Sequence, residues 1–275
     1  MTGQAPPRIY CIPAGQAPVV AVLRRGPSSW SHVGRWDLAE NSYTSGAWLK
    51  GRIFPRRCDL SPDGRLLCYF AFKPNASWKL GTAYVAISRL PWLVALHAFS
   101  TCGTWSRGFH FSDDRSSKCS GIEDPPIPYS LRLTSAVQFA TERRRGWCEA
   151  PDCPPRADGD TWDQRRNVRL LKPQLHGERV LRVESLGWAG GEFGSGQAVD
   201  GLRVRYRLES DGDHQVLDEL QWADWDREGR LLVATRSGML QIRNLSSNDT
   251  EIAFEEDLSC LMPQTSPAPP WARKW

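Results

Sequence analysis

A chain of 275 residues has room for one large β domain or two average ones. Its 40% hydrophobic and 24% charged content is that of a globular protein and excludes a disordered or fibrous one. A net charge of +4 is mild, and no apolar run approaches the ~18 residues of a membrane-spanning helix.

The opening MTGQAPPRIY lacks the charged and apolar regions of a signal peptide, which predicts a cytoplasmic protein whose eight cysteines are reduced. The N-x-S/T triplets at Asn75, Asn244 and Asn248 carry little meaning without secretion. The basic residues are 29 Arg and 6 Lys. Their clusters at 143–145, 24–25, 56–57 and 165–166 are short and scattered, with no nucleic-acid module around them, so nucleic acid is not an expected partner. Thirteen tryptophans fill cores as readily as binding sites and argue for neither.

In chain order, seven segments read as strands: 18–26, 32–38, 65–72, 83–90, 202–210, 230–238 and 239–245. Each is short, rich in branched or aromatic residues, and most are bounded by turn letters. Residues 135–147 (SAVQFATERRRGW) fit either a helix or two strand fragments. Glycine and proline, 23 and 20 residues spread throughout, disfavour long helices. The pattern predicts an all-β sandwich, barrel or propeller.

Internal repetition chooses among these. CDLSPDGRLLCYFAF (58–72) aligns with ADWDREGRLLVATRSGMLQIRNL (223–245). Asp59 matches Asp224, Gly64 matches Gly229, and Arg-Leu-Leu follows the glycine both times. In the first copy Pro62 presets φ, Asp63 can bond its own backbone, and Gly64 can supply a positive φ. Upstream, WDL at 36–38, LKG at 49–51 and SPDG at 61–64 alternate with strands. This succession resembles a WD40-like β-propeller over about residues 32–90 and 219–256. In that family the WD pair ends the third strand of a blade and SPDG joins the first two strands of the next.

The resemblance implies a β-propeller of about five four-stranded blades, with six as the alternative, in one domain over residues 1–256. Blades are expected at about 8–50, 57–99 and 219–256, with two irregular ones and insertions across 102–218. There WD at 162–163 is followed by polar QRRN and no second SPDG appears. The tail 257–275, ending APPWARKW, is expected to pack on the propeller or to reach a partner.

Four constellations could carry chemistry. Cys148 and Cys153 form a C-x4-C pair, but structural zinc needs four ligands and Cys102, His110 and Cys119 lie at irregular gaps, so no metal is expected. His97 and Cys102 supply an imidazole and a thiol without a nucleophile motif, so no catalytic residue is assigned. Asp113, Asp114, Glu123 and Asp124 lack EF-hand spacing and read as a solvated insertion. Residues 187–197 (GWAGGEFGSGQ) lack the order of a phosphate loop and read as a connection.

The resemblance places residues before the first strand and after the second on the rim where partners dock. Those positions are Arg56, Arg57 and Lys73 in one copy and Gln221, Trp222 and Arg236 in the other. Arginine and tryptophan are types that supply interface energy. The sequence therefore predicts a non-catalytic protein-protein interaction or scaffold protein with no cofactor, no small-molecule substrate and no membrane association. A hydrolase-like enzyme with a channel site and a nucleic-acid-associated subunit are the alternatives.

Overall fold

The computed structural model describes residues 6–26, 29–74, 80–113, 126, 128–135, 137–158, 166–188, 201–210, 212–246 and 249–275. Its strands are β1 (Arg8–Pro13), β2 (Val19–Arg25), β3 (Trp30–Asp37), β4 (Ser42–Lys50), β5 (Arg52–Ile53), β6 (Asp59–Leu60), β7 (Leu66–Phe72), β8 (Ala83–Arg89), β9 (His97–Ser100), β10 (Phe109–Ser112) and β11 (Ser130–Leu133). They continue as β12 (Cys148–Glu149), β13 (Arg169–Pro173), β14 (Val180–Trp188), β15 (Leu202–Ser210), β16 (Asp213–Val216), β17 (Leu220–Trp225), β18 (Leu231–Thr235), β19 (Met239–Leu245) and β20 (Thr250–Asp257). One short helix, α1 (Ala140–Arg144), precedes β12.

The protein is all-β, and each of the seven predicted strand segments forms a strand. The described strands make five sheets in chain order: β1-β2-β3-β4, β5 to β9, β10-β11, β12 to β16, and β17-β18-β19-β20. Neighbouring strands within them run antiparallel. Sheet limits fall close to the segments expected at 8–50, 57–99 and 219–256, while two sheets hold five strands and one holds two. The helical alternative holds within 135–147, where α1 makes a single turn and Gly146 at φ +85° then delivers Trp147 into the core.

The chain divides into two compact units, Met1–Tyr10 with Ala136–Leu261 and Cys11–Ser135 with Met262–Trp275. In the second unit, β5 lies against β2 and β3, and β10 lies against β6 and β7. Phe54, Phe70, Val85, Ile87, Phe109 and Leu131 share one core there. Strand β2, VVAVLRR, is buried over six of its seven residues, because both faces of its sheet are covered. At the end of β3, Trp36 is buried, while the Asp37 carboxylate accepts from the backbone of Ala39 and Glu40. The WD pair thus supplies a core ring and the start of a turn. The tail also belongs to this unit: Ala272 is buried, and Arg89 Nε donates to the Lys274 carbonyl at 2.6 Å.

The first unit holds the sheets β12–β16 and β17–β20 around one core that includes Val168, Leu181, Val183, Tyr206, Trp225 and Val233. In its last sheet burial declines outward: β17 is buried along its whole length and β20 is largely exposed. Gln221 also ties residues near the start of the chain to β17. Its Oε1 accepts from Ile9 N at 3.0 Å, and its Nε2 donates to Pro7 O at 3.2 Å and Thr235 O at 2.6 Å.

The two aligned turns have matching chemistry. Gly64 has φ +72° and donates to Ser61 O at 2.9 Å, while Gly229 has φ +76° and donates to Asp226 O at 3.3 Å. Ser61 Oγ accepts from Leu66 N at 2.9 Å, and Asp226 Oδ1 accepts from Arg230 N at 2.8 Å. The copies differ by one residue, since Leu60 pairs with Leu67 but Trp225 pairs with Leu231.

A Cβ at position 64 would lie 2.9 Å from Val19 Cβ, and one at 229 would lie 2.5 Å from the Leu175 carbonyl oxygen. Positive φ adds its own cost. Gly64→Ala and Gly229→Ala are each expected to lower stability by more than about 1 kcal/mol in denaturant unfolding, with the larger loss at Gly229, where the obstacle is backbone. Equal stability of either variant and the wild type would show that its turn relaxes freely.

Candidate functional site

Strands β5 and β6 pair with the same side of β7, but three residues between them are extruded as a 3-10 turn, Pro55–Arg57. On β7, Ala71 opposes Ile53 and Cys68 opposes Asp59. This bulge carries Arg56 and Arg57 and follows Phe54, whose N donates to the Phe70 carbonyl at 3.0 Å. Arg57 is used internally. Its guanidinium lies over the Phe54 and Phe70 rings at 4.8 and 5.1 Å, and Nη1 donates to the carbonyls of Thr104 and Ser106. Arg56 is half-buried, and Lys73 is a half-buried residue just past the end of β7. The three share one unit, with Arg56 and Arg57 opposite the middle of β7 and Lys73 just past its end.

The second set is brought together at the start of β17 and the end of β18. Arg236 N donates to Glu219 O at 2.7 Å, and Arg236 Nε donates to Asp218 O at 2.7 Å. Trp222 is 2% exposed and Gln221 is spent on Pro7, Ile9 and Thr235, so both act through packing and backbone satisfaction. Arg236 remains the member of this set whose side chain reaches the surface.

The equivalent aspartates of the two repeat copies are both buried at 3% exposure and both bridge sheets. Asp59 Oδ2 accepts from Phe111 N of β10 at 2.9 Å. Asp224 Oδ1 accepts from Lys172 Nζ of β13 at 2.6 Å and from Trp225 N at 2.8 Å. Burial raises the Asp224 carboxyl, and the Lys172 ammonium opposes that rise. Trp225 Nε1 donates to Lys172 O at 3.0 Å, so Lys172 is bonded at both its side chain and its backbone.

Arg143 and Arg166, each from one of the short arginine clusters, are also held within the fold. They clamp Glu149 at 2.7 and 2.6 Å, and the guanidinium of Arg166 holds that carboxyl down to about 2. Cys153 Sγ accepts from Arg166 Nη2 and Arg169 N, while Cys148 is exposed. His97 lies beside the Phe99 ring at 5.9 Å, and Cys102 is an exposed thiol. Among the described residues no group of three metal-ligating side chains converges, and no helix is long and apolar enough to cross a membrane. Asn75, Asn248, Asp114, Cys119, Glu123, Asp124, Arg165, the 162–163 WD pair and most of 187–197 lie outside the described residues.

Two features have no counterpart among the sites expected from sequence. One is His32, fully buried, with Nε2 3.0 Å from Ser45 Oγ and Nδ1 3.5 Å from Tyr43 OH. Burial, aided by the Arg24 charge, lowers its imidazole to about 4. The Trp48 ring packs 4.6 Å from it. The other is an open groove in the first unit, made of two adjoining concavities of about 380 Å³ each that share Ser210, Asp213 and His214. It runs between the β15–β16 hairpin and the β19–β20 turn, over Leu208 and Leu245. A signal for it exists in the sequence: residues 208–257 carry thirteen carboxylates against four arginines, a net −9 in a chain of net +4.

A scan against protein-family models finds no match, and a search of the curated proteins finds none either.

Two outcomes follow from the buried groups. Asp224→Ala leaves the Lys172 ammonium without its partner and is expected to cost about 3 kcal/mol in chemical unfolding, whereas Lys172→Met with Asp224→Leu should cost far less. His32 binds its proton at 6.5 when unfolded and about 4 when folded. Its contribution is therefore complete above pH 6.5 and lost as pH falls from 6.5 to 4, by roughly 3 kcal/mol. His32→Gln should flatten that limb of the stability profile, and an unchanged slope would remove His32 as its cause.

Proposed function

We propose that this chain is a non-catalytic, cytoplasmic protein-interaction scaffold, a subunit or adaptor built on WD40-like propeller blades. The observation that carries the reading is the recurrence of one joint at residues 59–64 and 224–229. Each copy has a buried aspartate that bridges sheets, a side-chain-locked turn and a glycine at positive φ. The WD pair at the end of the third strand of the first sheet supports the same reading, and IRNL at 242–245, a divergent form of that strand end, holds the matching place in the last sheet. Five sheets in chain order support a count of five blades. Scaffolds of this type present rim side chains on a rigid frame, and Arg56, Lys73 and Arg236 are the candidates for contact.

The hydrolase-like alternative draws on the Ser45 hydroxyl beside the neutral His32 imidazole. The Nδ1 position that an orienting carboxylate would take is occupied by Tyr43 OH instead. Labelling of Ser45 by a fluorophosphonate probe, lost in His32→Gln, would favour that alternative.

Affinity purification from the native cell tests the scaffold reading. Wild-type protein is expected to retain one or more proteins in stoichiometric amount, and Lys73→Glu or Arg236→Glu to reduce that recovery severalfold at unchanged circular dichroism. Undiminished recovery with both variants would remove these positions, and recovery of the chain alone after cross-linking would overturn the scaffold reading itself.

A further inference from the structure

Strand β20 is the last strand of its sheet, and among the described residues β19 is its only strand neighbour. An edge strand presents backbone N–H and C=O groups to any chain that can lie beside it, and proteins guard such edges or use them. Eight residues long and largely exposed, this one offers the span of a full strand.

The register fixes which side chains flank an added strand. Ile252 pairs with Arg243 and Glu255 with Gln241, while Glu251 pairs with Asn244 and Glu256 with Leu240. Ile252 and Glu255 therefore share the face of Leu231, Val233 and Leu245, the face that packs on the β12–β16 sheet and borders the groove. Glu251 and Glu256 stand on the opposite face. Ile252 is 49% exposed although it sits opposite a half-buried Arg243. Ala253 is the extra residue of a bulge between the Ile242 and Arg243 pairs.

Charge decides the occupant. Among the described residues Glu251, Glu255 and Glu256 form no ion pair, and the side-chain hydrogen bonds that Glu251 and Glu255 accept come from the neutral amides of Asn244 and Gln241. A second copy of this chain pairing edge to edge would set carboxylates opposite carboxylates, which is unfavourable in a cross-strand position. A basic chain would instead meet a carboxylate on each face and an apolar contact at Ile252. We infer that β20 and the adjoining groove over Leu208 and Leu245 are a docking site for an extended, lysine- or arginine-rich segment of a partner protein, added as a further strand to the β17–β20 sheet. The inference rests on the scaffold reading and names the partner's chemistry.

The probe is a synthetic peptide of alternating lysine and valine, titrated by isothermal calorimetry into the full chain. An alternating aspartate–valine peptide and a lysine–valine peptide methylated on alternate backbone nitrogens are the controls. The basic peptide is expected to bind, the acidic one not to bind, and the methylated one to lose at least about tenfold in affinity, because it keeps the charge but lacks the donors. Reversal of the exposed Glu251 and Glu255 and the half-buried Glu256 to Lys, none of them a core residue, is expected to cost about tenfold or more. Equal binding of the methylated peptide would overturn strand addition, and equal binding by the charge-reversed chain would overturn the site. The same charge-reversed chain is then taken through native-cell purification. If its partners persist while peptide binding is lost or absent, the edge falls and the scaffold reading stands. If the wild type retains the basic peptide but no cellular protein, the edge stands and the scaffold reading falls.

Discussion

A carboxylate buried between two covered sheets has to be answered by donors, because stripping its water without replacement costs several kcal/mol. Asp59 and Asp224 are placed in that position, one residue before the end of the strand that enters a tight turn. The rest of the architecture follows from how each is answered. Asp59 takes a backbone N–H from β10, in the sheet that comes next along the chain. Asp224 takes the ammonium of Lys172 on β13, in the sheet that comes before. One sequence position thus fastens adjacent sheets in both chain directions. The fastening is directional in a way that apolar contact is not, so it fixes how each pair of sheets meets.

The turn that follows each aspartate depends on the same constraint. If strand and neighbour are locked, the chain must reverse in place at positive φ, and only a residue without a Cβ does so clear of Val19 or the Leu175 carbonyl. This is why the turns were legible from sequence: Gly64 and Gly229 are conformational requirements, and Ser61 and Asp226 are local hydrogen-bonding ones. The strands were legible for a related reason, since residues covered on both faces leave unbroken apolar runs such as VVAVL. Strand β16, Asp213–Val216, was not, because all four of its residues are exposed and it forms only by pairing with β15. The β12–β16 sheet was harder to read because β14 and β15 alternate buried with half-buried residues and leave no unbroken apolar run.

Site residues were less legible than strands because residue type does not encode direction. Arg57 and Trp222 are interface types, but Arg57 points over Phe54 and Phe70 and Trp222 is sealed in β17. A bulge of three residues turns Arg57 inward, and Pro55 is its lone trace in the sequence. Lys73 and Arg236 come just past strand ends, where the sheet no longer dictates which way a side chain leaves. The carboxylates of β20 could have been noticed by charge alone, because a net of +4 conceals a segment of −9 and a remainder of +13.

That uneven charge is also a physical consequence of how the last sheet is built. Its first strand is spent on packing and its last is left to water, so solubility has to be carried by the outer strand. Glutamates there repel an identical edge and so guard an edge strand against self-association. A protective charge is also selective: what it excludes is any edge of the same sign, and what it leaves admissible is an extended chain of the opposite one. Proline or a short strand would have closed β20 to every partner alike, whereas eight residues, most of them exposed and with Ile252 among glutamates, favour one kind.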